Sequence, residues 1–182
     1  MRLFWQHEKT REFLKEALRV VGAEDSALDN NYLSINGLVD DFRFSAIYFC
    51  GSGDAVNNLP SLSITTASGA AADIAVVEEN RLHRLGKRLS LIKEIEIGDS
   101  KFDRRYLIKT QDHEHASRLF DLPRVREAVD DIFDYGFDAL TWDKQGFLTA
   151  RVRDFHPEDG SIPTTIFRDA VAAMRRIETA SR

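Results

Sequence analysis

The chain has 182 residues, 43% of them apolar and 30% charged, with 12 Phe, 4 Pro and a single cysteine. This composition belongs to a globular protein and excludes a disulfide framework, a cysteine-clustered zinc site and a low-complexity tract. The 25 Lys and Arg against 30 Asp and Glu leave a net charge of −5, so the domain repels polyanions and no nucleic-acid partner is expected.

A chain of this length can bury roughly 70% of its unfolded surface, enough for a conventional core. A single domain over 1–182 is expected, with two small α+β halves, about 1–90 and 91–182, as the alternative division. The N-terminus turns charged at once, unlike a secretory leader, and the best apolar run, Phe44 to Cys50, is far short of a membrane span. A soluble, cytoplasmic protein is expected.

From Arg2 to Val21 the apolar positions recur mostly at steps of three and four, with Glu8, Lys9, Glu12, Lys15 and Glu16 between them, which predicts an amphipathic helix closed by Gly22. Ala23 to Asn31 reads as a polar connection. Tyr32 to Ile35 reads as a strand entering a turn at Asn36-Gly37, with the return strand from about Phe42 to Phe49. Ser61 to Thr66 alternates Leu62, Ile64 and Thr66 against three hydroxyl residues and predicts a third strand.

Asp73 to Leu89 places Ile74, Val77, Leu82, Leu85 and Leu89 at helical spacing, with acids early and bases late, and predicts a helix. Short strands are expected at Ile92 to Ile97 and Arg104 to Lys109. Asp112 can cap a helix from His113, Pro123 opens another, and Gly136 ends it. Phe137 to Trp142 and Phe147 to Arg153 form the clearest hairpin, and a helix from Pro163 to about Glu178 closes the chain. The fold class expected is α+β: mostly antiparallel sheet built from two hairpins plus additional strands, packed with N-terminal, middle and C-terminal helices.

The candidate chemical motifs are incomplete. Cys50 precedes Gly51-Ser52-Gly53 without a histidine at a diagnostic spacing, and that glycine pair lacks the third glycine of a nucleotide loop. His113 and His115 would face opposite sides of a helix, whereas a two-histidine zinc helix spaces them four apart. Arg81, Arg84 and Arg88 line a helical face without interleaved aromatics, and Asp130, Asp131, Asp134 and Asp138 lack the order of a calcium loop. No catalytic residue, metal ligand or cofactor is assigned.

Gly98-Asp99-Ser100-Lys101-Phe102-Asp103-Arg104-Arg105-Tyr106-Leu107-Ile108, followed by Asp112, Ala116, Leu119-Phe120 and Val125-Arg126, resembles a pattern in bacterial proteins of uncharacterised function. There, a Gly-Asp-x-x-Phe-Asp-x-x-Phe/Tyr strand precedes a helix and a Pro-x-x-Arg-led helix. The resemblance covers about residues 92 to 153 and implies no catalytic residues. In this segment Asp99 can bond a turn, Phe102 and Tyr106 can fill a core, and Asp103 can pair with an arginine. Alternatively Asp99, Asp103 and Arg105 line a polar ligand site. The function expected is a non-enzymatic binding or protein-interaction module, with a protein partner or homodimer. A small hydrolase-like enzyme is the alternative, and it requires at least two of Asp99, Asp103, His113, His115 and Cys50 to converge in a pocket.

Overall fold

The computed structural model describes residues 2–21, 26–29, 32–49, 59–69, 71–78, 94–156 and 163–180. Its first helix, α1, is Arg2–Val21, and buries Thr10, Leu14 and Ala17, three positions at the spacing the amphipathic pattern demands. Strands β1 (Ser26–Asp29), β2 (Tyr32–Val39), β3 (Phe42–Phe49) and β4 (Ser61–Ala67) follow as an antiparallel meander. The stretch read as a polar connection therefore contains a strand. The hairpin turn also moves: Asn36 and Gly37 lie inside β2, and Asp40 and Asp41 make the reversal with φ of 48° and 65°. Aspartate tolerates this left-handed region better than most side chains, and two successive positive φ values match the right-handed twist of the flanking strands.

The expected helix over 73–89 is overturned at its start. Ile74–Glu78 is strand β5, held between two neighbours in the sheet. Ile74, Val76 and Val77 are all buried, so both faces are covered, and a short β-branched run covered on both faces mimics helical spacing when only a few positions are compared. Residues 79–89 lie outside the described residues, and with them Arg81, Arg84 and Arg88.

Strand β6 is Glu94–Ile95, followed by α2 (Ser100–Arg105) and β7 (Tyr106–Thr110), so the strand expected from Arg104 to Lys109 starts two residues later, after a short helix. Arg104 and Arg105 are thus helical. Helix α3 (His113–Phe120) starts at the expected cap, with Asp112 Oδ1 accepting from the His115 N–H at 3.0 Å. Helix α4 (Pro123–Asp134) begins on its proline and stops before Gly136, whose φ of 95° lets the chain reverse. The hairpin β8 (Ala139–Trp142) and β9 (Phe147–Arg153) and helix α5 (Ile166–Ala180) complete the chain.

The protein is α+β. Its nine described strands form one antiparallel sheet in the order β1-β2-β3-β4-β9-β8-β5-β7-β6, so the two hairpins share a sheet. Strands from either side of residue 90 are interleaved at one point, with β5 between β8 and β7.

One sheet face carries Leu33, Ile35, Phe44, Ala46, Leu62, Ile64, Leu148, Ala150, Leu140, Val76 and Ile108, all buried. Helix α5 lies against β2, β3 and β4 on this side, flanked by α1 and α4. Its stripe of Phe167, Ala170, Val171, Met174 and Ile177 is fully buried, and each large side chain so placed contributes roughly 1.5–3 kcal/mol. Because the helices collect on one side, β2, β3, β4 and β9 have an opposite face with much less cover. None of the helices among the described residues is long and apolar enough to cross a membrane.

Candidate functional site

The Gly98 to Tyr106 segment folds as a unit. Gly98 takes a φ of 82°, a conformation glycine adopts without strain, and this places Asp99 at the start of α2. Asp99 Oδ1 accepts from the Lys101 N–H at 3.1 Å and the Phe102 N–H at 3.2 Å. Those backbone bonds, first Phe102 and then Lys101, hold the carboxyl below the usual carboxylate range, with help from the Arg126 charge. Asp103 turns the other way: its Oδ1 accepts from the Ile97 N–H and its Oδ2 from the Gly98 N–H, both at 3.0 Å. It fastens α2 to the turn before it.

Arg105 reaches across to α4 and β5. Its guanidinium lies 3.0 Å from Asp130 Oδ1, 2.5 Å from Asp134 Oδ1 and 3.5 Å from Glu78 Oε1. Partial burial disfavours its charge, but the Asp134 hydrogen bond and the carboxylate charges outweigh this, and the guanidinium is held more firmly protonated than usual. The Tyr106 hydroxyl donates to the same Asp130 oxygen at 2.7 Å. Burial first, then that bond, pushes the phenol far above the ordinary tyrosine range, so it stays a donor.

Between α2 and the start of α4 is a cleft of about 190 Å³ lined by Asp99, Lys101, Phe102, Arg105, Pro123, Arg126, Glu127 and Asp130. It is smaller than the roughly 300–1,000 Å³ of ordinary small-molecule sites, and much of its charge is already paired. Arg126 Nε lies 3.4 Å from Asp99 Oδ2 and its Nη1 donates to the Phe120 carbonyl, while Arg105 holds Asp130. The structure therefore brings Asp99 and Arg105 to one cleft and leaves Asp103 out of its lining.

His113 is exposed and His115 half-buried on α3, and neither lines this cleft; Cys50 lies outside the described residues. Of the four described residues from which the hydrolase alternative could draw, Asp99, Asp103, His113 and His115, Asp99 alone lines the cleft. The four aspartates of the 130–138 cluster are divided among three partners: Asp130 and Asp134 share Arg105, Asp131 meets Arg176, and Asp138 Oδ2 accepts from the Arg153 N–H at 2.8 Å. No group of three or more His, Cys, Asp or Glu among the described residues is placed to hold a metal ion.

Because Asp99 is ionised at neutral pH and its carboxyl is depressed in the folded chain, its capping contribution is complete above the unfolded carboxylate range and is lost as pH falls through the lower folded value. A carboxyl-carbon NMR titration should place the Asp99 midpoint below about 3.9, the value for a free side chain. A midpoint at or above that value would remove the cap from this account.

A second region emerges only from the sheet register. On the face opposite the helices, β2 presents Tyr32, Ser34, Asn36 and Leu38, β3 Arg43, Ser45, Ile47 and Phe49, β4 Ser61, Ser63, Thr65 and Ala67, and β9 Phe147, Thr149, Arg151 and Arg153. Tyr32, Leu38, Ile47 and Phe147 are exposed by 51%, 50%, 48% and 45%. The Thr65 and Thr149 hydroxyls meet at 3.0 Å in the middle of this surface. Farther along the same face, Val77 and Ala139 are buried. No Asp or Glu lies on this face of β2, β3, β4, β8 or β9, although the whole chain is acidic. The alternation of Phe147 to Arg153 carried this signal in the sequence, but which side was open depended on where the helices packed.

Comparisons with family models, with curated proteins and with solved structures found no match.

Proposed function

We propose that the chain is a non-enzymatic binding module that docks an acidic segment of a protein partner on the open face of β2, β3, β4 and β9. The observation supporting this reading is the union, on one surface, of four half-exposed large apolar side chains with Arg43, Arg151 and Arg153 and no carboxylate on the central strands. Exposed apolar groups clustered among polar ones favour protein interfaces over plain solvent, and a basic island on a chain of charge −5 selects an acidic surface. We place the module in the cytoplasm, where its single cysteine stays reduced.

The test replaces Ile47 with a photo-crosslinking phenylalanine derivative, and Glu114 on α3 as the control, in the host that makes the protein. The expected result is an adduct from position 47 and not from 114, with the crosslinked segment identified by mass spectrometry as acidic. Equal labelling from both positions, or none from 47, would defeat the reading. An adduct between two copies through position 47 would replace the acidic partner with a homodimer.

A further inference from the structure

Arg151 is anomalous among the charged side chains of the open face. It is half-buried on β9, and its Nε–H is fully shielded from solvent with no hydrogen-bond acceptor. No described residue forms a hydrogen bond or an ion pair with its guanidinium. A guanidinium has five N–H donors and cannot shed its charge at physiological pH, so partial burial without an acceptor is unfavourable for the free protein. Burial, then the Arg153 charge, depresses its affinity for its proton, and the Asp138 charge only partly offsets this.

On the β4 side of Arg151, Ser63 is half-buried and Ile47 exposed, whereas Ala139 on the β8 side is buried. Directly across the strands, Arg151 faces Ser63 on β4 and Ala139 on β8, two side chains too short to cover a guanidinium. The Ser63 hydroxyl is an additional donor for an anion, and Thr149, two residues before Arg151, is another when Thr65 donates the bond that joins the two threonines. Ile47 lies opposite Ser63 on the next strand, which continues the apolar part of the surface up to the charge.

We infer that Arg151 is the anchor for a carboxylate side chain of the partner protein, which its guanidinium receives as a two-armed pair with the Ser63 and Thr149 hydroxyls beside it. The inference rests on the docking surface proposed above and names its recognition chemistry. A planar fork matches a carboxylate in both arms, and the exposed Ile47 one strand beyond Ser63 suits a protein-borne carboxylate over a free anion. Desolvating a charge that is already half-buried and unsatisfied costs the complex less than desolvating an exposed one.

The experiment follows the backbone amide resonances of Ser63, Ala139 and Arg151 during titration with sodium acetate, against sodium chloride at equal ionic strength. Wild type should show a saturable shift with acetate. The shift should be absent in Arg151→Met, which keeps the aliphatic stem, and at least several-fold weaker in Arg151→Lys. Equal shifts in chloride, or unchanged shifts in Arg151→Met, would overturn the inference, as would saturation by sodium phosphate but not by acetate. The position-47 crosslink, repeated in Arg151→Met, separates the two proposals. A tenfold or greater loss of adduct supports the anchor, whereas undiminished adduct overturns the anchor and leaves the docking surface standing. Absence of adduct in otherwise wild-type protein removes the docking surface and with it the partner named here.

Discussion

Phe120→Ala should destabilise the protein by about 3–5 kcal/mol, the range for emptying a fully buried aromatic site. Phe120 is wholly inaccessible at the end of α3. Its ring centre lies 5.8 Å from that of Phe102 on α2 and 6.0 Å from that of Trp142 on β8, the latter edge to face at 84°. Phe102 continues the series to Tyr106 at 4.6 Å, and Tyr106 to Phe133 at 4.8 Å. The Phe120 ring thus joins α3 to α2 and β8, at one end of an aromatic series that runs on to β7 and α4, and close packing allows little relaxation into the vacated volume. For a domain of this size the loss corresponds to a fall of roughly 6–20 °C in melting temperature. Urea unfolding followed by circular dichroism provides the check. A loss below about 1.5 kcal/mol, within the range of volume-conserving core changes, would mean that the site collapses on itself.

Arg105→Met should cost about 1–2 kcal/mol, a figure already reduced for solvent screening because the arginine is 38% exposed and Asp134 is 61% exposed. The mechanism differs from cavity formation. Removing the cation leaves Glu78 on β5 and Asp130 and Asp134 on α4 without their shared counter-charge, so three like charges are left to repel each other. The defect should shrink in 1 M sodium chloride, where the Debye length falls to about 3 Å, and a second change, Asp134→Asn, should recover part of it. A stability loss unchanged by salt and by the second substitution would mean that the aliphatic stem of Arg105, not its charge, joins α2 to α4.

The Gly98 to Tyr106 motif shows how far the sequence could be read. Gly98, Asp99, Phe102 and Tyr106 each have local roles that residue type alone suggests: a left-handed turn, a cap and two core rings. The partner of Asp103 was not legible, because it bonds two backbone N–H groups behind it and not an arginine. Nor was the helix itself, since six residues are too few to establish a period.

The same weakness misassigned Ile74–Glu78, where burial on both faces erased the alternation that marks a half-exposed strand. Elements with many repeats or strong punctuation, α1, α4 and the β8–β9 hairpin, were readable throughout. Arg151 could be placed on one side of β9 from its parity, but its lack of an acceptor is a property of neighbours that lie far away along the chain.

The pairing of β4 with β9 has a consequence for how the molecule assembles. Ala67 opposes Phe147 and Ser61 opposes Arg153, whereas β2 and β3 close through two residues and β8 and β9 through a short turn. The meander and the distal hairpin can each form with little loop-closure entropy. The seam between them must draw together the ends of a long intervening chain before its hydrogen bonds repay that loss. That seam runs beneath the open face, with Ser63 on one side and Arg151 on the other. The docking surface proposed above therefore depends on the strand pairing with the greatest sequence separation in the sheet, and a chain in which that seam has not closed lacks the proposed surface.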